Sequence, residues 1–126
     1  MSTLIVATLE TEPRPSGHYS KAVMCVAGSL VPQTIQSLPS KFTSNEFLQL
    51  FAEKHKLEYE IIVKFYLADQ PLDRSPTDRF RHAKQVAHQQ IMHTVCNCFP
   101  HLVAKKGDTP NPNGGVQSAW EKLPQC

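Results

Sequence analysis

The chain has 126 residues, 40% of them hydrophobic and 19% charged, with a formal net charge of +2. That is one domain's length, and a chain of this size buries roughly two thirds of its unfolded surface without needing staples. No stretch approaches the roughly 20 apolar residues of a membrane span, and the N-terminus has no basic region followed by an apolar run, so no secretory leader is expected. Without a leader, Cys25, Cys96, Cys98 and Cys126 are expected to be reduced thiols in a cytoplasmic protein.

In chain order, Met1 to Ser40 carries two short apolar runs, Leu4–Ala7 and Ala22–Ala27, separated by the turn-forming stretch Glu12–Gly17. Both runs are too short to separate strand from buried helix. Residues 1–37 are therefore expected to form an N-terminal arm of extended or short β structure, packed on the domain or making a dimer or partner contact. An entry turn at Leu38–Lys41 leads to Thr43-Ser44-Asn45-Glu46, the spacing of a capping box, and Phe47, Leu48, Leu50 and Phe51 continue it as a helical apolar stripe to about His55.

A second helix is expected from about Leu57 to Leu67, ended by a loop containing Pro71 and Pro76. A third and longer helix starts at Thr77 or Asp78 and runs to about Phe99, where Pro100 stops it. Phe80, Ala83, Ala87, Ile91, Thr94, Val95 and Cys98 fall on one arc of that helix and predict its buried side. Arg81, His82, Gln85, Gln89, His93 and Cys96 fall on the opposite arc, with His88 and Met92 nearer its edge. His101–Lys106 and Val116–Leu123 then read as strands, joined by the turn-rich stretch Gly107–Gly115, with Trp120 in inward phase.

Charge is distributed unevenly along this order. Phe42 to Asp73 holds Glu46, Glu53, Glu58, Glu60, Asp69 and Asp73 against three lysines. Arg79 to Lys106 holds no acid at all, but carries Arg79, Arg81, Lys84, Lys105 and Lys106 with four histidines. An acid-free stretch suits a surface that meets a polyanion, because nearby carboxylates repel phosphate. A solvated helix face is the plainer reading of the same residues.

Helix, helix, loop, long basic helix and a hairpin with a Pro/Asn/Gly tip resembles the winged helix-turn-helix superfamily over about residues 38–123. The Leu-Pro-x-x-Phe entry (Leu38 to Phe42) and the ending Ala119-Trp120 add to the likeness. The resemblance implies an α+β, winged-helix-like fold of three helices followed by a two-stranded wing. It further implies that the third helix enters the major groove of double-stranded DNA. Base-reading positions would be Arg81, His82, Gln85, His88 and Gln89, and phosphate contacts Arg79, Lys84, Lys105 and Lys106. The wing would contribute Asn111, Asn113, Gly114 and Gly115. The wing tip has no Arg or Lys, and the loop after the second helix is longer than a tight helix-turn-helix turn; both depart from the pattern.

His93, Cys96, Cys98 and His101 offer four metal-ligand types within nine residues, but on a continuous helix they point different ways, so no metal or other cofactor is expected. Walker, dinucleotide-binding, HExxH and nucleophile-elbow motifs are absent. The expected function is a small, non-catalytic DNA-binding protein: a transcriptional regulator, or an accessory factor of a phage or mobile element. The alternative is a winged-helix protein-interaction module that does not touch nucleic acid, and a recognition subunit serving a separate nuclease or modification enzyme is a third reading.

Overall fold

In the computed structural model, which describes residues 26–68, 70–112 and 114–124, the chain is an α+β protein. Its elements are α1 (Leu30–Gln36), β1 (Lys41–Thr43), α2 (Ser44–Lys54), α3 (Lys56–Leu67), α4 (Pro76–Cys98), β2 (Val103–Pro110) and β3 (Val116–Lys122). The strands form one antiparallel sheet in the order β1-β3-β2.

The part of the expected arm that is described, residues 26–37, is helical rather than extended. Leu30, Val31, Thr34 and Ile35 of α1 are buried, and they belong to the same apolar cluster as Phe47, Ile62 and Trp120. These positions recur at helical spacing, and two adjacent buried positions per turn make a stripe rather than a strand face. The buried Thr34 hydroxyl is satisfied within the helix by donating to the Leu30 carbonyl at 2.9 Å. The run Leu4–Ala7 lies outside the described residues, and of Ala22–Ala27 only Val26 and Ala27 are described, both buried.

The expected capping box forms. Thr43 Oγ1 accepts from the Glu46 amide at 3.2 Å, while the Glu46 carboxylate accepts from the Thr43 amide at 2.8 Å. Thr43 also ends β1, a third strand that begins at Lys41, the last residue of the expected entry turn, and was not expected from sequence. Lys41, Phe42 and Thr43 pair with Glu121, Trp120 and Ala119. Three residues carry no recognisable strand pattern; their pairing comes from a partner more than seventy positions away.

The hairpin is longer than its turn-rich sequence suggests. Pairing continues through Asp108↔Ser118 and Thr109↔Gln117 to Pro110↔Val116, with a register shift between Lys105 and Gly107. Gly107 at φ +137° supplies a backbone geometry that side-chain-bearing residues rarely adopt. Pro110 is tolerated because β2 is an outer strand. Only Asn111 to Gly115 remains as the tip, closed by Asn111 N–H to the Gly115 carbonyl (3.0 Å) and Gly114 N–H to the Asn111 carbonyl (2.9 Å).

Ser75 caps α4 by accepting from the Asp78 amide at 3.1 Å, and Pro76 occupies the first turn, where its missing N–H costs nothing. Ala83, Ala87, Ile91, Thr94 and Val95 are buried as expected, joined by Gln90. Two expected inward positions differ: Phe80 is 49% exposed and Cys98 half-buried. Length accounts for both. With 23 residues α4 spans about 35 Å, whereas its main partner α3, with 12, spans about 18 Å, so the ends of α4 are left less covered. Trp120 packs inward, 5% exposed, and its indole N–H donates to Ser44 Oγ at 3.0 Å.

Candidate nucleic-acid interface

Helix α4 buries one side and leaves the other to solvent. Arg81, Gln85 and Gln89 are exposed and His82 is half-buried. Gln85 and Gln89 stand one turn apart on the outer side, which places their amides side by side. The helix runs through Phe99 and Pro100 into β2, so this side is carried by the same length of chain as the hairpin.

His88 belongs to a different arrangement. Its Nε2 lies 2.7 Å from the Tyr59 hydroxyl of α3, with ring centroids 5.7 Å apart. Burial, helped by the nearby Lys84 ammonium, pushes its pKa down to about 4, so the ring is neutral at neutral pH. Burial also pushes the Tyr59 hydroxyl up. His88 is thus a clasp between α3 and α4 rather than a side chain turned toward solvent.

The phosphate candidates are mostly engaged. Arg79 is half-buried; its Nη2 donates to the Leu67 carbonyl at 3.3 Å, where it serves the last turn of α3 and the negative end of that helix. Lys84 is half-buried with its ammonium 5.7 Å from the Phe80 ring centroid. The other three form exposed ion pairs: Arg81–Asp78 at 3.0 Å, Lys105–Asp108 at 3.5 Å and Lys106–Glu121 at 3.6 Å. The acid-free run of sequence is therefore not acid-free in space. Asp78 and Asp108 flank it in the chain, and Glu121 is brought in by the β2–β3 register. Among these eight side chains, five cations against three carboxylates leave a net charge of +2.

At the tip, Gly114 (φ +107°) and Gly115 (φ +72°) are exposed and make the turn. Asn113 lies outside the described residues. Asn111 is half-buried and faces α2, where its Oδ1 accepts from Asn45 Nδ2 at 2.9 Å. Between α2, α4 and the hairpin runs an open groove of about 810 Å³, with Leu48 and Glu53 on one wall, Lys84 and His88 on another, and Pro110 and Pro112 on the third.

His93, Cys96 and His101 are exposed and Cys98 is half-buried, and among the described residues no group of three or more His, Cys, Asp or Glu side chains is placed to hold a metal ion. Burial pushes the Cys96 thiol up against the opposing influence of Lys105, which disfavours the thiolate that metals and electrophiles need. No helix among the described residues is long and apolar enough to cross a membrane.

Sequence reasoning missed Tyr59, Asn45 and Gln117, and also the three carboxylates that face the cations. The Asp78–Arg81 spacing was available as a local signal on a helix, whereas residues three apart in a strand, as Lys105 and Asp108 are, carry none. The other contacts depend on tertiary placement that no spacing encodes. Compared with known protein families, characterised proteins and solved structures, the chain matches none.

Proposed function

We propose that the chain is a small, non-catalytic protein that binds duplex DNA in a winged-helix-like manner, with α4 in the major groove and the hairpin beside it, as a transcriptional regulator or an accessory factor of a mobile element. The observation that carries this reading is the open outer side of α4, where Arg81, Gln85 and Gln89 are exposed. From Arg79 to the end of the helix, that side has no carboxylate of its own. A major groove admits an α-helix; Gln pairs bidentately with adenine and Arg with guanine, each good pair giving roughly 1–3 kcal/mol of discrimination. The antiparallel sheet order and the direct passage from α4 into the hairpin support a winged-helix-like plan.

Selection from a randomised duplex pool at two salt concentrations tests the proposal. Binding is expected to weaken steeply with salt, as counterions are released from the duplex. Gln85→Ala with Gln89→Ala is expected to flatten the sequence preference, whereas Lys105→Ala with Lys106→Ala weakens binding to all sequences alike. Absence of salt-sensitive binding to any duplex overturns the assignment.

A second reading, a protein-docking module, draws support from the hairpin tip, where Asn111 to Gly115 carries no Arg or Lys to meet phosphate. Flat DNA titrations together with a size-exclusion shift on adding a protein partner select that reading.

A further inference from the structure

The hairpin tip is fastened to the start of α2 by a set of polar contacts that neither the capping of that helix nor the sheet ladder requires. The Asn45 amide N–H, one of the groups that the first turn of a helix leaves without an intrahelical partner, donates to Gln117 Oε1 of β3 at 2.9 Å. The Asn45 side chain donates from Nδ2 to Asn111 Oδ1 at 2.9 Å. Gln117 continues the chain of contacts, its Nε2 donating to the Pro110 carbonyl at 3.3 Å. One residue of α2 thus holds both arms of the hairpin, β3 through its backbone and the tip after β2 through its side chain. All three side chains are half-buried, and the two bonds made by Asn45 are themselves partly buried, where water competes less.

We infer that Asn45 is a positioning residue: it fixes the hairpin tip against α2 and thereby sets the width of the groove between the tip and α4. The consequence for binding rests on the duplex-binding reading above. A helix and a hairpin that dock together on one duplex must be held at a fixed separation. A hairpin free to swing has to be ordered at the moment of binding, and that ordering weakens affinity. Asn111, expected from sequence to touch DNA, acts instead as the tip's half of this latch.

The test uses the full chain with Asn45→Ala, Asn111→Ala and the double variant. Asn111→Ala removes the same side-chain bond from the tip without altering a helix position, so it serves if Asn45→Ala perturbs folding. In each variant the Gly114 and Gly115 amides are expected to lose order by ¹⁵N relaxation, from about 0.85 toward about 0.6 in order parameter. The double variant is expected to be no looser than either single one, because both remove one bond. Duplex affinity falls about two- to tenfold, in line with loss of one hydrogen bond, while the slope of affinity against salt stays unchanged because no phosphate contact is lost.

Tip amides as ordered in the variants as in the parent chain, or additive loosening in the double variant, overturn the inference. A salt slope reduced by about 1 also overturns it, since that marks the loss of a Lys or Arg phosphate contact and hence a rearrangement larger than the release of one latch. If the parent chain binds no duplex, the functional reading falls, and the relaxation measurement alone decides the positioning role.

Discussion

The three carboxylates opposite the candidate phosphate contacts provide the most direct perturbation. Asp78, Asp108 and Glu121 each stand 3.0–3.6 Å from a cation, and both partners of every pair are exposed. Exposed pairs of this kind contribute about 0–1 kcal/mol to folding, so Asp78→Asn, Asp108→Asn and Glu121→Gln together are expected to leave the fold intact. Asp78 has the largest local effect, because it also sits in the first turn of α4, where a negative charge is favoured.

For binding the effect is larger. With the pairs in place, each carboxylate offsets part of the charge that Arg81, Lys105 and Lys106 present to a phosphate, so the salt slope is shallower than the number of cations implies. Removing the carboxylates frees Arg81, Lys105 and Lys106. The net charge of the chain rises from +2 to +5, and the slope steepens by up to about 0.9 for each cation freed. Each relieved carboxylate–phosphate repulsion is worth up to about 1 kcal/mol in water where the two charges approach to about 4 Å. The triple variant is therefore expected to bind a random-sequence duplex roughly 5- to 150-fold tighter at low salt, with the gain shrinking as salt rises. Fluorescence anisotropy titrations at three salt concentrations measure slope and affinity together. A triple variant whose slope and affinity match the parent's refutes the reasoning: those cations then do not face phosphate.

Two further outcomes concern the fold that carries the site. The pKa of His88 is lowered from 6.5 to about 4, so below pH 6.5 the unfolded chain binds its proton more readily than the folded one; the stability this residue supplies is complete above pH 6.5 and is lost as pH falls toward 4, by up to roughly 3 kcal/mol. Thermal melts from pH 7 to pH 4 are expected to show that decline and His88→Gln to flatten it; equal pH dependence in the two proteins contradicts the clasp. Thr43→Ala removes the hydroxyl of the capping box and is expected to cost about 1 kcal/mol, seen as a melting midpoint lower by about 4 °C, whereas an unchanged midpoint means the cap contributes nothing.

The sequence disclosed most where a signal was local. Thr43 and Glu46 announced the start of α2, Pro100 the end of α4, and the 3.6-residue recurrence of Ala83, Ala87 and Ile91 its buried side. It disclosed least where an element exists only because of a distant partner. Helix α1 has seven residues and is held by burial against the core; the helical spacing of Leu30, Val31, Thr34 and Ile35 spans too few turns to mark a helix without that core. Strand β1 is defined by its pairing with β3, and β2 passes through Gly107 and Pro110, residues that argue for a turn when read alone. The candidate site shows the same division. The outward phase of Arg81, Gln85 and Gln89 follows from helical geometry, while the withdrawal of His88 toward Tyr59, 29 positions away, and of Asn111 toward Asn45, 66 positions away, required the assembled fold.

Strand β2 lies at the rim of the sheet, with a glycine bulge at its middle, Lys105, Lys106 and Asp108 beside it and a proline at its end. A second chain that tried to add itself there would meet a kinked ribbon, a missing N–H and ammonium groups to desolvate, so stacking into a fibril is disfavoured from this side. The same irregularities that hid the second half of the strand from sequence reading thus guard the protein against recruiting copies of itself when it is concentrated.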